Sequence, residues 1–95
     1  MQITVKLSGG LEKIAGTREI KVTISEGETV DTIFLKLSRR YPRMVESLFD
    51  PITGEIAGKY EVLLNGRHLR EGLYTKLKNR DELLLTPKEE PPATG

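Results

Sequence analysis

Polar and apolar residues alternate along Gln2–Leu7, with Ile3, Val5 and Leu7 on one face and Gln2, Thr4 and Lys6 on the other. A period of two predicts a half-buried strand. Ser8-Gly9-Gly10 breaks it, and Leu11, Ile14 and Ala15 form a short apolar patch before Gly16. Glu19 to Ile24 alternates again with Ile20, Val22 and Ile24 inward, so the two strands read as an antiparallel hairpin with a wide loop. The period then changes. Val30, Ile33, Phe34, Leu37 and Tyr41 follow helical spacing, while Asp31, Lys36, Arg39 and Arg40 fall largely on the other side. Thr29 is the expected N-cap, and Pro42 forces the helix to stop.

Arg43 to Phe49 carries enough apolar residues for one or two irregular helical turns, and Asp50-Pro-Ile-Thr-Gly54 has turn chemistry. Tyr60 to Leu64 predicts a third strand. Asn65-Gly66 is a two-residue hairpin signal returning through Arg67-His-Leu-Arg70, and a helical turn is expected within Leu73 to Leu77. Leu83, Leu84 and Leu85 form an unbroken apolar run, which suits a strand covered on both faces or one in the middle of a sheet. Pro87 cannot donate to a ladder and closes that strand. Residues 88–95 hold no large apolar side chain and read as a flexible tail on a domain spanning 1–87.

One amphipathic helix can cover only one face of a small sheet, so the fold class is α+β with two layers. The all-leucine strand is best placed beside the first strand. That gives a mixed sheet gripping one main helix, a β-grasp or ubiquitin-like roll. Ile3, Val5, Ile20, Val22, Ile33, Phe34, Leu37, Val62, Leu64, Leu83 and Leu85 are the expected core.

On that fold, six motifs in order carry a resemblance: Leu7-Ser-Gly-Gly-Leu11, Ala15-Gly16, Gly27-Glu-Thr-Val30, Arg40-Tyr-Pro42, Val62-Leu-Leu-Asn-Gly66 and Asp81-Glu-Leu-Leu-Leu-Thr-Pro87. Together they resemble the ubiquitin-like sulfur carriers (MoaD/ThiS-like), among them the small subunit of molybdopterin synthase and the thiamine-pathway carrier. The resemblance implies a carrier without catalytic residues of its own. It implies that the carboxylate of Gly95 is adenylated by an ATP-consuming activating enzyme and then becomes a thiocarboxylate. Sulfur would pass to a cofactor precursor, molybdopterin before thiamine, in company with a larger acceptor or synthase subunit. The family ends in Gly-Gly, whereas here Ala93 and the β-branched Thr94 precede Gly95. The alternative is a β-grasp interaction module without activation chemistry, or a ubiquitin-like modifier.

Composition narrows the field further. Fifteen basic and fourteen acidic residues give a net charge of +1, which selects no partner by bulk charge. The absence of cysteine excludes a disulfide framework, a thiolate metal site and a cysteine nucleophile, and it suits a reducing cytoplasm. No run approaches the roughly 18 apolar residues of a membrane span. His68 is the single histidine, expected exposed and without a role, so no multi-histidine metal site exists. Lys36, Arg39, Arg40 and Arg43 form one basic group, and Lys76, Lys78 and Arg80 another. A shared face would suit an anionic partner, yet 5% aromatic content argues against nucleic acid. For a protein partner the expected surface is Leu63 and Leu84, which alternate away from the core, with Arg39 and Arg40 at the helix end.

Overall fold

The computed structural model describes residues 1–88. Its elements are β1 (Gln2–Leu7), α1 (Leu11–Ala15), β2 (Glu19–Thr23), α2 (Val30–Arg40), α3 (Pro42–Leu48), β3 (Tyr60–Leu64), β4 (Arg67–His68), a 3-10 turn at Gly72–Tyr74, and β5 (Glu82–Pro87). The strands form one sheet in the order β2-β1-β5-β3-β4. β1 pairs antiparallel with β2 and parallel with β5, and β5 pairs antiparallel with β3. This is the expected β-grasp: a mixed sheet, the leucine strand beside the first strand, and helices over one face.

The core confirms the two periodicities. Ile3, Val5 and Leu7 from β1, Ile20 and Val22 from β2, and Leu83 and Leu85 from β5 meet Val30, Ile33, Phe34 and Leu37 from α2, all buried. Phe34 and Phe49 pack edge to face with ring centroids 5.2 Å apart. Of the expected core only Leu64 is not fully buried; it packs at the margin. Met44, Val45 and Leu48 show that the Arg43–Phe49 stretch is a regular helix with a buried face. Pro42 accounts for both helices. It ends α2 through a non-helical Tyr41 (φ −132°, ψ 60°) and starts α3 at the position where its missing N–H costs nothing.

Several local expectations are corrected. The wide loop of the first hairpin contains α1, closed by Gly16 in the left-handed region (φ 78°). Thr29 takes the N-cap position, but its hydroxyl donates to Asp31, and the Asp31 carboxylate accepts from the Thr32 N–H at 2.9 Å. The return strand is only Arg67–His68, because Leu69 and Leu73 turn in to pack on the core margin. The leucine strand is central but open on one face, where Leu84 is half-buried. No helix among the described residues is long and apolar enough to cross a membrane.

Candidate functional site

The last strand is held at its end from two sides. Ser8, leaving β1, donates its N–H to the Leu85 carbonyl at 3.1 Å and its hydroxyl to Thr86 Oγ1 at 2.8 Å. Gly9 follows with φ +68°, and a Cβ there would fall 2.1 Å from Pro87 Cγ and 2.3 Å from Cδ. On the other flank, Tyr60 is opposite Pro87, and the Lys88 N–H donates to the Lys59 carbonyl at 2.9 Å. β5 ends at Pro87, and this one backbone hydrogen bond holds the exposed Lys88 beyond it. Ala93, Thr94 and Gly95, the expected tail chemistry, lie outside the described residues.

Leu63 and Leu84 are opposite one another on β3 and β5, on the face away from the helices. With Glu61, Thr86, Pro87 and Lys88 they line a shallow depression of about 410 Å³. Both leucines are half-buried, so they are not the most exposed apolar side chains. Ile52, Tyr74 and Leu35 are more exposed and lie elsewhere in the chain. On the same face Lys6 Nζ lies 2.8 Å from Glu82 Oε1. That hydrogen bond and the attached charge raise the Lys6 pKa above its ordinary value.

Arg39 and Arg40 do not join this surface. Both are exposed, and the Arg40 guanidinium lies over the Tyr41 ring, 5.5 Å from its centroid. Arg40 and Lys36 line a groove beside Ile20, Lys21, Val22 and Thr23 of β2, which is separated from β5 by β1. Lys36 is engaged with Glu28 (2.7 Å) and the Thr23 carbonyl (2.9 Å). The second basic group lies by the β3–β4 hairpin, where Lys76 and Lys78 line a depression with Leu64 and Arg67. The two groups thus line different depressions, one beside β2 and one beside the β3–β4 hairpin. His68 is exposed, as expected.

Among the described residues there is no buried polar or charged residue and no group of three His, Asp or Glu side chains suited to a metal. What the arrangement can do is hold the end of β5 beside a depression that Leu63, Leu84 and Pro87 share with Glu61, Thr86 and Lys88. Sequence reasoning missed the Gly9–Pro87 contact, for which Ser8-Gly9-Gly10 directly before an apolar patch was the available signal.

No family model matches the chain, and no curated protein matches it. Solved structures do. Small archaeal modifier protein 1 of Methanosarcina acetivorans is 32% identical with a TM-score of 0.77, the match covering 99% of this chain and 96% of that one. The SAMP1 structure from Haloferax volcanii is 27% identical with a TM-score of 0.81, all of both chains being covered. A protein described as molybdopterin converting factor, subunit 1, of Pyrococcus furiosus shares the fold at 20% identity and a TM-score of 0.76, over 94% of this chain and 99% of that one. With its mixed sheet, its clamped last strand and a relative of this identity over nearly its full length, the chain belongs to the ubiquitin-like β-grasp sulfur-carrier family, as a small non-catalytic member.

Proposed function

We propose that this protein is a sulfur carrier whose Gly95 carboxylate is adenylated by an ATP-dependent activating enzyme and then converted to a thiocarboxylate. In the second step hydrosulfide from a sulfur donor forms the new C–S bond as the bond to AMP breaks. A carboxylate has no good leaving group until the mixed anhydride supplies one. The thiocarboxylate then gives its sulfur to a cofactor precursor of the molybdopterin kind, in the cytoplasm, with a larger synthase subunit as the partner. ATP belongs to the activating enzyme, and the carrier holds no cofactor.

The observation that carries this reading is that Leu63, Leu84, Pro87 and Lys88 border one depression. A partner seated on the two leucines meets the root of the segment leading to Gly95. Incubation with an activating enzyme, ATP and sulfide should replace one oxygen by sulfur in the intact mass, and deletion of Gly95 should abolish the change. Thr94→Gly should preserve or speed it, since glycine passes a narrow channel more easily than a β-branched residue. If the wild type forms neither adenylate nor thiocarboxylate while Thr94→Gly with an added glycine forms both, the protein is an interaction module that has lost activation.

A second reading has its own support. The relatives at 32% and 27% identity are named as modifier proteins. The same activated terminus would then form an amide with a lysine of a target protein. Recovery of such conjugates from the native host, with cofactor synthesis intact in a deletion strain, would favour it.

A further inference from the structure

Arg67, Arg70, Lys76 and Lys78 converge on one open depression of about 510 Å³, together with Asn65, His68, Thr75 and Asp81. Four cations face a single carboxylate. None of the four forms an ion pair among the described residues, where the pairs are Lys6–Glu82, Lys21–Glu19 and Lys36–Glu28.

The backbone beneath these cations is well anchored. Asn65 (φ 52°) and Gly66 (φ 81°) make the tight hairpin that delivers Arg67. The Asn65 side chain donates to Asp81 Oδ1 at 3.0 Å and accepts from the Glu82 N–H at 2.9 Å. Asp81 Oδ2 accepts from the Lys78 N–H at 2.7 Å, so the one acid of the depression serves to tie its walls together. Lys76 bridges to Thr29, and Leu77 beside it is buried. Holding four like charges around one hollow is electrostatically unfavourable in the free protein. A partner that brings negative charge relieves it.

We infer that this depression is a docking site for a carboxylate-rich segment of a partner protein. It lies at the β3–β4 turn and the start of β5, the end of that strand remote from Pro87. A partner held there leaves Leu63, Leu84 and the tail free for a second contact. Single-stranded nucleic acid is the rival occupant. It is disfavoured because no Phe, Tyr or Trp lines the depression, His68 being the one ring a base could stack on, and a net charge of +1 gives no long-range attraction for a polynucleotide. The inference adds to the sulfur-carrier reading without depending on it.

The test is an NMR titration of the isotope-labelled full chain with a short polyglutamate peptide and, separately, with an oligouridylate of equal charge. No ATP or activating enzyme is present, so the result is independent of the tail chemistry. Polyglutamate should shift the amides of residues 65–70 and 75–81, with binding that weakens as salt is raised. Arg70→Glu combined with Lys76→Glu should raise the dissociation constant by about tenfold or more while the spectrum stays dispersed. Arg39→Glu with Arg40→Glu should leave it unchanged. Absence of shifts, shifts centred on Arg39 and Arg40, or tighter binding of oligouridylate than of polyglutamate would each overturn the inference.

Discussion

The pyrrolidine ring of Pro87 fills the space that a side chain on Gly9 would need, since a Cβ added there would lie 2.1 Å from Cγ. The neighbouring Gly10 also has positive φ (+101°), but a Cβ there meets nothing within 4 Å. The two positions therefore separate backbone strain from close contact. Gly10→Ala should cost only the conformational penalty of about 1–2 kcal/mol. Gly9→Ala should cost about 1–3 kcal/mol more, since a proline ring cannot swing aside. Urea denaturation of both variants checks this, and equal losses would mean that Pro87 gives way.

Phe34 is 4% exposed and packs edge to face on Phe49. Phe34→Ala should lower stability by about 3–5 kcal/mol, read as a fall in the denaturation midpoint. A loss under about 1 kcal/mol would show that the α2 stripe does not carry the core.

Because Leu63 and Leu84 are directly opposite, replacing both by aspartate would set like charges face to face and confuse folding with binding. Leu63→Thr with Leu84→Thr avoids this and suits a strand. Stability should change by no more than about 1–2 kcal/mol for the pair. Affinity for the activating enzyme or the acceptor subunit, measured by calorimetry, should fall by about tenfold or more. Unaltered affinity would move the protein interface elsewhere.

Glu28 accepts a hydrogen bond from Lys36 and another from the Ser25 N–H, and these hold its carboxyl below the ordinary value of 4.5 against a smaller opposing effect of burial. A lowered folded pKa means that the stabilisation is complete above the unfolded value and fades as pH falls through the folded one. The pair is partly solvated, so Glu28→Gln should cost no more than about 1 kcal/mol at pH 7. The difference between wild type and variant should shrink steadily below pH 4.5 in parallel denaturation series. A gap that persists in strong acid would point to packing rather than charge.

Alternation and helical spacing made most of the fold legible, because β1, β2 and α2 each bury one face and expose the other. The leucine run was harder to interpret. Three apolar residues in succession look alike whether one or two faces are covered; alternation with Leu83 and Leu85 assigned Leu84 to the outer face, where it is half-buried opposite Leu63. Arg39 and Arg40 were recognisable as a basic helix end, but their separation from Leu84 depends on strand order. The basic depression was hidden for a similar reason. Arg67 and Arg70 are near Lys76 and Lys78 in the chain, but no strand or helix period links them, and the turn at Gly72–Tyr74 brings them to one hollow.

Parallel pairing of β1 with β5 places the first and last strands side by side at the centre of the sheet. During translation, β1 and β2 leave the ribosome with the middle of their sheet still unmade. The Val5–Leu83 and Leu7–Leu85 neighbours can form only when nearly all of the domain has been synthesised. Such long-range closure slows folding, and it also makes folding a checkpoint. A message cut short before β5 yields a chain that exposes Ile3, Val5 and Leu7 to proteases and never displays the paired leucine face. Partners that recognise that face would accordingly engage finished copies and ignore fragments.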